Sequence, residues 1–259
     1  MTTPLRLLRD GTQATLLLDR PERRNAMTRA MWLDLPGLLA EAAADEDVAV
    51  LRLAGAGGHF CGGADIAEFA ESYATPEATA ASNAAIREAV EAVAAFPKPI
   101  VAVIRGACVG GGVALALACD LRFAASDARF AVTPVRLGLA YSHADTQRLV
   151  RAIGLGPARE LLFSARAIDA TEALRMGLIE RLWPVESFDS DCAESLAALA
   201  ATSRPALRHV KAMVAAIAEG VDEENAATRA LFEDLFAGDD FAEGYRAFLE
   251  KRVPRFTAR

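Results

Sequence analysis

Two glycine-rich stretches hold the residues of this sequence that are best suited to chemistry. They read GAGGHFCGGAD (55–65) and GACVGGGVALALACD (106–120). Each follows an apolar run and leads into another, which predicts a turn between a strand and a helix. Glycine lets the backbone approach a ligand closely and adopt conformations that a Cβ would block. Backbone N–H groups at such turns bind anions, and when aimed at a developing negative charge they form an oxyanion hole.

Two other interpretations of the second stretch do not fit. It lacks the Lys-Ser/Thr pair of a phosphate-binding P-loop, and the first stretch is not a dinucleotide-binding glycine fingerprint. With the preceding PIVAVIR the second stretch approaches the length of about 20 residues that a membrane-spanning helix needs. However, Arg105 would lie near its middle, and clustered glycines disfavour a helix interior.

The elements that must position these turns repeat along the chain. LRLLRDGTQATLLLDR (5–20) predicts a hairpin around Asp-Gly. Buried strands are expected at about 48–53 and at IVAVI (100–104), each followed by a glycine turn and a helix. Repeated right-handed units of this kind stack into an α/β spiral. Both glycine turns would then lie at the same end of neighbouring strands.

Helix boundaries are predicted from capping residues and prolines. Thr28 is expected to cap a helix that runs to about Ala44, with Pro36 as a kink or boundary. Further helices are expected from about Ala64, from about Pro76 to Phe96, and from Asp145, which is interpreted as an N-cap. Short strands are expected at DLRFAA and ARFAV. The last third is helical by pattern, at 156–165, 169–177, 186–202, 205–219, 222–237 and 239–251.

Composition limits the class of protein. Of 259 residues, 53% are hydrophobic and 24% are charged, which is typical of a globular domain. A net charge of −7 disfavours a nucleic-acid partner. The four cysteines show no CxxC spacing and are expected to be small buried thiols; they are Cys61, Cys108, Cys119 and Cys192. The start, MTTPLRLLRDG, does not resemble a signal peptide, so a cytoplasmic location without membrane attachment is expected.

Six blocks in order resemble the crotonase (enoyl-CoA hydratase/isomerase) superfamily over nearly the whole chain. They read LDRPERRNAMT, FCGGADIAEF, IRGACVGGGVALALACDLRFAA, ARFAVTPVRLGL, RELLFSARAIDATEALRMGLIERLWP and FLEKRVPRF. The resemblance implies a crotonase-like spiral of repeated ββα units over 1–200. It also implies a helical region over 201–259 that serves oligomerisation and completes the coenzyme A (CoA) site.

The resemblance also implies a site and a substrate class. The backbone N–H groups of Ala64 and Gly111 would bind the thioester carbonyl oxygen of an acyl-CoA. The residues implied to contact CoA are Arg24, Ala26, Ala64, Asp65, Ile66, Phe248 and Lys251. The last two would act from a neighbouring subunit of a trimer or a dimer of trimers. No metal and no cofactor apart from the CoA of the substrate are implied.

The sequence departs from the family pattern where hydratases carry two glutamates. The matching positions hold Ala114 and Pro134. Hydration needs one group to activate water and another to manage the proton that goes to carbon. Neither alanine nor proline transfers a proton, so ordinary hydration or isomerisation is in doubt.

The polar residues nearby are in LGLAYSHADTQRL (137–149). Tyr141 resembles a tyrosine that lines the acyl pocket in the methylmalonyl-CoA decarboxylase branch, although Ala64 and Ala114 differ from that branch. Histidine is a residue type suited to proton transfer at neutral pH, but a single histidine in a loop, such as His143, is also typical of polar surface. Asp145 is a candidate acid as well as a candidate cap.

Other acidic residues have structural interpretations. Glu68 and Glu88 are interpreted first as solvated helix residues, and Asp120 as structural. Three functions therefore stay open: an acyl-CoA enzyme that stabilises a thioester enolate without the two glutamates, a methylmalonyl-CoA-type decarboxylase that uses Tyr141, and a non-catalytic acyl-CoA-binding protein.

Overall fold

A computed structural model describes residues 4–257 of the chain. Its nine strands are β1 Leu5–Asp10, β2 Gln13–Leu18, β3 Val50–Gly55, β4 Ile100–Ile104, β5 Ala107–Val109, β6 Leu121–Ala125, β7 Arg129–Ala131, β8 Ala167–Asp169 and β9 Arg181–Trp183. The larger sheet has the order β1-β2-β3-β4-β6-β9, antiparallel between β1 and β2 and parallel elsewhere. The smaller sheet has the order β5-β7-β8.

Eleven α-helices lie in the same described residues. They are α1 Arg29–Ala44, α2 Phe69–Ser72, α3 Pro76–Ala94, α4 Gly111–Ala118, α5 His143–Ile153, α6 Leu155–Ser164, α7 Ala170–Met176, α8 Phe188–Ala200, α9 Arg204–Ala218, α10 Ala226–Glu233 and α11 Asp239–Leu249. The predicted α/β class is therefore confirmed. No helix in residues 4–257 combines the length and hydropathy that a membrane crossing requires.

The apolar sequence of β3 and β4 explains their central place in the larger sheet. They pair in parallel with Leu51 opposite Ile100, so the two units are related by a shift of about 50 residues, as predicted. The main core packs α1, α3 and α4 on one face of this sheet, and α8 packs on β3 and β6 on the other. Parallel strands covered on both faces are buried throughout. Both glycine stretches thus follow the carboxyl ends of neighbouring parallel strands.

Local hydrogen bonds set several predicted boundaries. The Thr28 side chain accepts a hydrogen bond from the Met31 N–H and starts α1, which ends at Ala44 as expected. Pro36 lies inside this helix, so of the two expectations the boundary is wrong and the kink stays a prediction. The helix continues because Met31, Leu35 and Leu39 are buried on one face, which outweighs the single hydrogen bond that proline removes.

The helix expected from about Ala64 does not start there. Ala64 is in extended backbone that pairs with Met27, and Asp65 caps a short 3-10 helix at Ile66–Glu68 before α2. The three-residue strands β5, β8 and β9 were not predicted. Such short strands are specified by their partners in the sheet more than by their own sequence.

The C-terminal helices expose many apolar side chains. Large exposed residues of this region are Val210, Val214, Ile217, Phe232, Phe236, Phe241, Tyr245, Phe248 and Leu249. Lys211 on α9 ties the region to the core, since its ammonium lies 2.8 Å from the Asp120 carboxylate. The proposed division at residue 200 stays a prediction.

Candidate active site

The first glycine stretch is held beside the loop that follows β2. The Met27 N–H donates to the Gly63 carbonyl at 2.7 Å, and the Asp65 N–H donates to the Met27 carbonyl at 2.8 Å. In this parallel pairing Met27 is bonded to the Gly63 carbonyl and the Asp65 N–H, which lie on either side of Ala64. The N–H of Ala64 itself therefore points to the opposite side. The pairing therefore aims one backbone donor away from Met27.

The second glycine stretch supplies another donor at the start of α4. Gly110 has a φ of +53°, which favours glycine, and its carbonyl accepts from the N–H groups of Val113 and Ala114. The N–H of Gly111 is in the first turn, where a helix has no acceptor of its own and carries partial positive charge.

The backbone segments that carry these two donors lie close together. A Cβ built on Gly111 would lie 3.5 Å from the Ala64 nitrogen, and one built on Gly63 would lie 3.3 Å from the Gly111 nitrogen. Within residues 4–257 neither N–H donates to a protein acceptor. Two free N–H groups side by side, one of them at a helix start, have the arrangement of an oxyanion hole.

Both glycine stretches are also fastened to each other behind the donors. Cys61 forms a parallel bridge with Cys108, and the N–H of Val109 donates to the Cys61 carbonyl at 2.9 Å. All four cysteines are buried and unpaired, as predicted. Burial raises the pKa of Cys61 to about 12, so the thiol stays protonated at neutral pH.

A cavity of about 550 Å³ opens onto the two N–H groups. Ala114 and Pro134 line it, at the positions where glutamates were sought in the sequence. Tyr141 and Asp145 line it as well. The cavity wall near the donors is thus largely apolar, with a phenol and a carboxylate added from the segment that enters α5.

Tyr141 contacts the peptide group that carries the second donor. Its hydroxyl donates to the Gly110 carbonyl at 2.5 Å. Burial, and then the nearby charge of Asp145, hold the pKa of Tyr141 well above its usual range, so the hydroxyl keeps its proton. The Gly110 carbonyl and the Gly111 N–H belong to one planar trans peptide and point in opposite directions. Holding the carbonyl therefore also fixes the direction of the N–H.

Asp145 lies in the first turn of α5 and is not its cap, so that prediction is wrong. Ser142 is the N-cap, and its hydroxyl oxygen accepts from the Asp145 N–H at 3.1 Å. The helix starts at His143 because Ser142 already has the extended backbone of a cap. The Asp145 side chain is 13% exposed, and burial raises its pKa despite the Ser142 hydrogen bond and the Arg148 charge.

The structure does not bring His143 to the cavity. His143 is exposed and is absent from the cavity lining, whereas its neighbours Ser142 and Ala144 contribute to it. The Glu68 carboxylate accepts from the Arg29 N–H at 2.6 Å, and Glu88 is exposed. Asp120 accepts from the Ile100 N–H at 2.8 Å, in agreement with a structural role.

The residues assigned to CoA fall into two groups. Arg24, Ala26, Asp65 and Ile66 lie together beside the first donor, where the Gly62 N–H donates to the Arg24 carbonyl at 2.7 Å. Ile66 also lines the cavity and is 61% exposed. Phe248 lies in the last turn of α11 and Lys251 follows that helix; both are exposed, and neither lines the cavity of its own chain.

Two residues that support this loop were missed by sequence reasoning. Arg20 donates to the Ala26 carbonyl and pairs with Asp65 at 2.9 Å. Asn25 is fully buried with a φ of +57°, and its amide donates to the carbonyls of Ala56 and His59. The signal that could have found Asn25 is its residue type, because asparagine is enriched at positive φ in turns.

Comparison with known proteins identifies the family of the chain. A family model described as enoyl-CoA hydratase/isomerase matches residues 10–259. The chain belongs to the enoyl-CoA hydratase/isomerase family. A crystal structure of a member of this family from Hyphomonas neptunium has a TM-score of 0.96 and 44% identity, covering 100% of this chain and 99% of that one. The predicted crotonase-like spiral with C-terminal helices is thereby confirmed.

Relatives within the family carry the names of different reactions. The 2,3-dehydroadipyl-CoA hydratase of Escherichia coli is 32% identical over 94% of both chains. A mitochondrial Δ3,5-Δ2,4-dienoyl-CoA isomerase of Mus musculus is 36% identical over 73% of this chain and 61% of its own. Family membership therefore makes the chain an acyl-CoA enzyme, and its particular reaction has to be argued from its own residues.

Proposed function

We propose that this enzyme stabilises a thioester enolate through the N–H groups of Ala64 and Gly111, in a reaction other than ordinary hydration. The observation that carries the proposal is the pair of neighbouring, unpaired N–H donors that line a cavity together with Ala114 and Pro134. Preorganised donors of this kind lower the barrier where negative charge develops, and one donor is worth roughly 3 kcal/mol.

Hydration is disfavoured by the chemistry of the cavity wall. Water has to lose a proton to a base while the adjacent carbon gains one. The methyl group of Ala114 and the ring of Pro134 do neither. Asp145 is the proposed proton-transferring carboxylate, because it lines the cavity and its pKa is raised towards neutrality by burial. Tyr141 is the other candidate proton donor, and no proton-transfer step is assigned to His143.

Decarboxylation of a methylmalonyl-CoA-type substrate is a second candidate. The apolar wall near the donors favours it, because a carboxylate next to such a wall is poorly solvated. Loss of CO₂ breaks a carbon–carbon bond and leaves its electron pair in the thioester enolate. The α-carbon then takes a proton from Tyr141 or Asp145, and water restores that proton. This route needs no base to begin.

The binding of CoA is part of the proposal. Arg24, Ala26, Asp65 and Ile66 would contact the CoA portion of the substrate. Phe248 and Lys251 would complete the site from a neighbouring subunit of a trimer or dimer of trimers. The exposed apolar side chains of α9 to α11 support such an assembly. A cytoplasmic location and the absence of nucleic-acid and membrane partners complete the proposal.

Turnover assays with crotonyl-CoA, methylmalonyl-CoA and ethylmalonyl-CoA test the reaction. We expect negligible loss of the conjugated thioester absorbance of crotonyl-CoA. CO₂ release from either malonyl thioester would favour the second candidate. Turnover of crotonyl-CoA at a rate typical of enzymes, about 10 s⁻¹, would contradict the proposal. Binding of thioesters without turnover of any would favour a non-catalytic protein.

The oxyanion assignment has its own test. Ala64→Pro and Gly111→Pro each remove one N–H donor, and retained folding is checked by circular dichroism. Loss of one donor should lower kcat by about 10²- to 10³-fold. Unchanged activity in a folded variant would show that the two N–H groups are not the oxyanion hole.

A further inference from the structure

One face of α3 presents a stripe of polar residues to the cavity. The stripe consists of Thr79, Asn83, Arg87 and Glu91, one residue in every four, and all of them line the cavity. Residues four apart lie on the same side of a helix. At 1.5 Å per residue the stripe extends for about 18 Å. It lies beside the apolar residues Ile86 and Val90 of the same wall.

The charges at one end of the stripe already have partners. Arg148 donates to the Glu91 carboxylate at 2.8 Å, and its other terminal nitrogen lies 3.8 Å from the Asp145 carboxylate. Arg148 itself is not part of the cavity lining. Glu91 is therefore held by a cation from α5 and does not neutralise Arg87.

Arg87 is different. In the described part of the chain it makes no hydrogen bond and no ion pair. The ionisable groups that line the cavity there are Tyr73, Arg87, Glu91, Tyr141 and Asp145, so Arg87 is the cation among them. A guanidinium presents a planar fork of donors that matches a carboxylate, and the Asn83 amide on the preceding turn adds further donors.

We propose that Arg87, assisted by Asn83, recognises an anionic group carried by the acyl chain at a distance from the thioester. The preferred substrates are then CoA thioesters of dicarboxylic acids, with the thioester at Ala64 and Gly111 and the free carboxylate at Arg87. This inference rests on the proposed function, because the thioester has to lie at the two N–H donors. The apolar residues Ile86 and Val90 contact the methylene chain between the two ends.

The inference is tested by measuring the binding of paired ligands by calorimetry. Succinyl-, glutaryl- and adipoyl-CoA are compared with butanoyl-, pentanoyl- and hexanoyl-CoA, which have the same chain lengths without the free carboxylate. We expect the wild-type enzyme to bind at least one dicarboxylic thioester about five- to tenfold more tightly than its partner. The preference should shrink as salt is added.

Variants assign the preference to Arg87. Arg87→Gln should abolish the preference and leave the binding of the acyl-CoA without a free carboxylate within about twofold of wild type. Arg87→Lys should retain part of the preference because a point charge remains. Arg151→Gln is the matched control: it removes the same charge from an exposed residue of α5 that does not line the cavity. This variant should keep the wild-type preference.

The outcomes separate the two proposals. Equal binding of both ligands of every pair by the wild-type enzyme overturns the role of Arg87 and leaves the proposed function intact. Arg87→Gln weakening both ligands equally would place Arg87 against the phosphates of CoA and also overturns the inference. Failure of every thioester to bind overturns the proposed function, and the inference with it.

Discussion

Replacing Tyr141 with phenylalanine tests whether a side-chain hydroxyl orients a backbone donor. The change removes the hydrogen bond of 2.5 Å to the Gly110 carbonyl. That carbonyl keeps the N–H groups of Val113 and Ala114 at 3.0 and 3.2 Å, so it does not become unsatisfied. We therefore expect a loss of only about 0.5–1.5 kcal/mol in the free energy of unfolding, and a Tm lower by roughly 2–4 °C for each kcal/mol.

The larger effect should fall on the binding of negative charge. Full loss of one oxyanion donor costs about 10²- to 10³-fold, and a donor that is present but freer to rotate should cost roughly tenfold. Acetoacetyl-CoA ionises to an enolate that absorbs in the near ultraviolet, so its titration reports charge stabilisation directly. Butanoyl-CoA carries no such charge and reports ordinary binding. Tyr141→Phe should weaken the binding of the acetoacetyl-CoA enolate about tenfold and the binding of butanoyl-CoA by less than about twofold.

Tyr73→Phe provides the control. Tyr73 also lines the cavity, and within residues 4–257 its hydroxyl has no hydrogen-bond partner. The Tyr73→Phe variant should therefore bind acetoacetyl-CoA and butanoyl-CoA as the wild-type enzyme does. If Tyr141→Phe binds the acetoacetyl-CoA enolate normally, the hydroxyl does not orient the Gly110–Gly111 peptide. Equal weakening of both ligands would mean that Tyr141 contributes packing alone.

Three further predictions concern the site and its support. Gly112→Ala should lower Tm, because the new Cβ would lie 2.4 Å from the Cys61 carbonyl oxygen and overpacking costs about 1–3 kcal/mol. Gly156→Ala is the control and should leave Tm unchanged, since no atom lies within 4 Å of its Cβ. An unchanged Tm for Gly112→Ala would refute the close contact. Asp145 acting as a base is charged only above its raised pKa, so kcat should rise with pH through a value above the ordinary aspartate range; Asp145→Asn should lose this limb, and its persistence would exclude Asp145. Ala114→Glu should leave crotonyl-CoA hydration negligible because the second glutamate position still lacks a carboxylate, and a gain above about tenfold would contradict the need for two carboxylates.

Features that depend on neighbouring residues could be predicted from the sequence. Thr28 and Asp169 start their helices through hydrogen bonds to N–H groups three residues ahead. The hairpin at Asp10-Gly11 and the two glycine stretches are equally local. The same holds for the Gly111 N–H, since a helix always leaves its first N–H groups without partners. The Ala64 N–H depends instead on the pairing with Met27, which is distant in the sequence.

Features that depend on which way a helix faces could not be predicted in this way. His143 and Asp145 are two residues apart, so about 200° of helical rotation separates them, and only one of them faces the cavity. Knowing which one requires the position of α5 against α4. The stripe on α3 was missed for a related reason. Polar residues on a helix are usually solvated, and the cavity beside the stripe is formed together with residues of α2 and of the segment after β7, which are distant in the sequence.

The bridge between Cys61 and Cys108 allows local opening of the site to be measured by thiol labelling. Both thiols are fully buried behind the two donors, and their protonated state protects them further from alkylating reagents. A reagent reaches them only when the glycine stretches separate from each other. The labelling rate, relative to that of an exposed thiol, therefore measures the free energy of that excursion. A ligand that draws the two N–H groups onto one oxygen should slow the labelling in proportion to its occupancy, which allows binding to be followed in the absence of turnover.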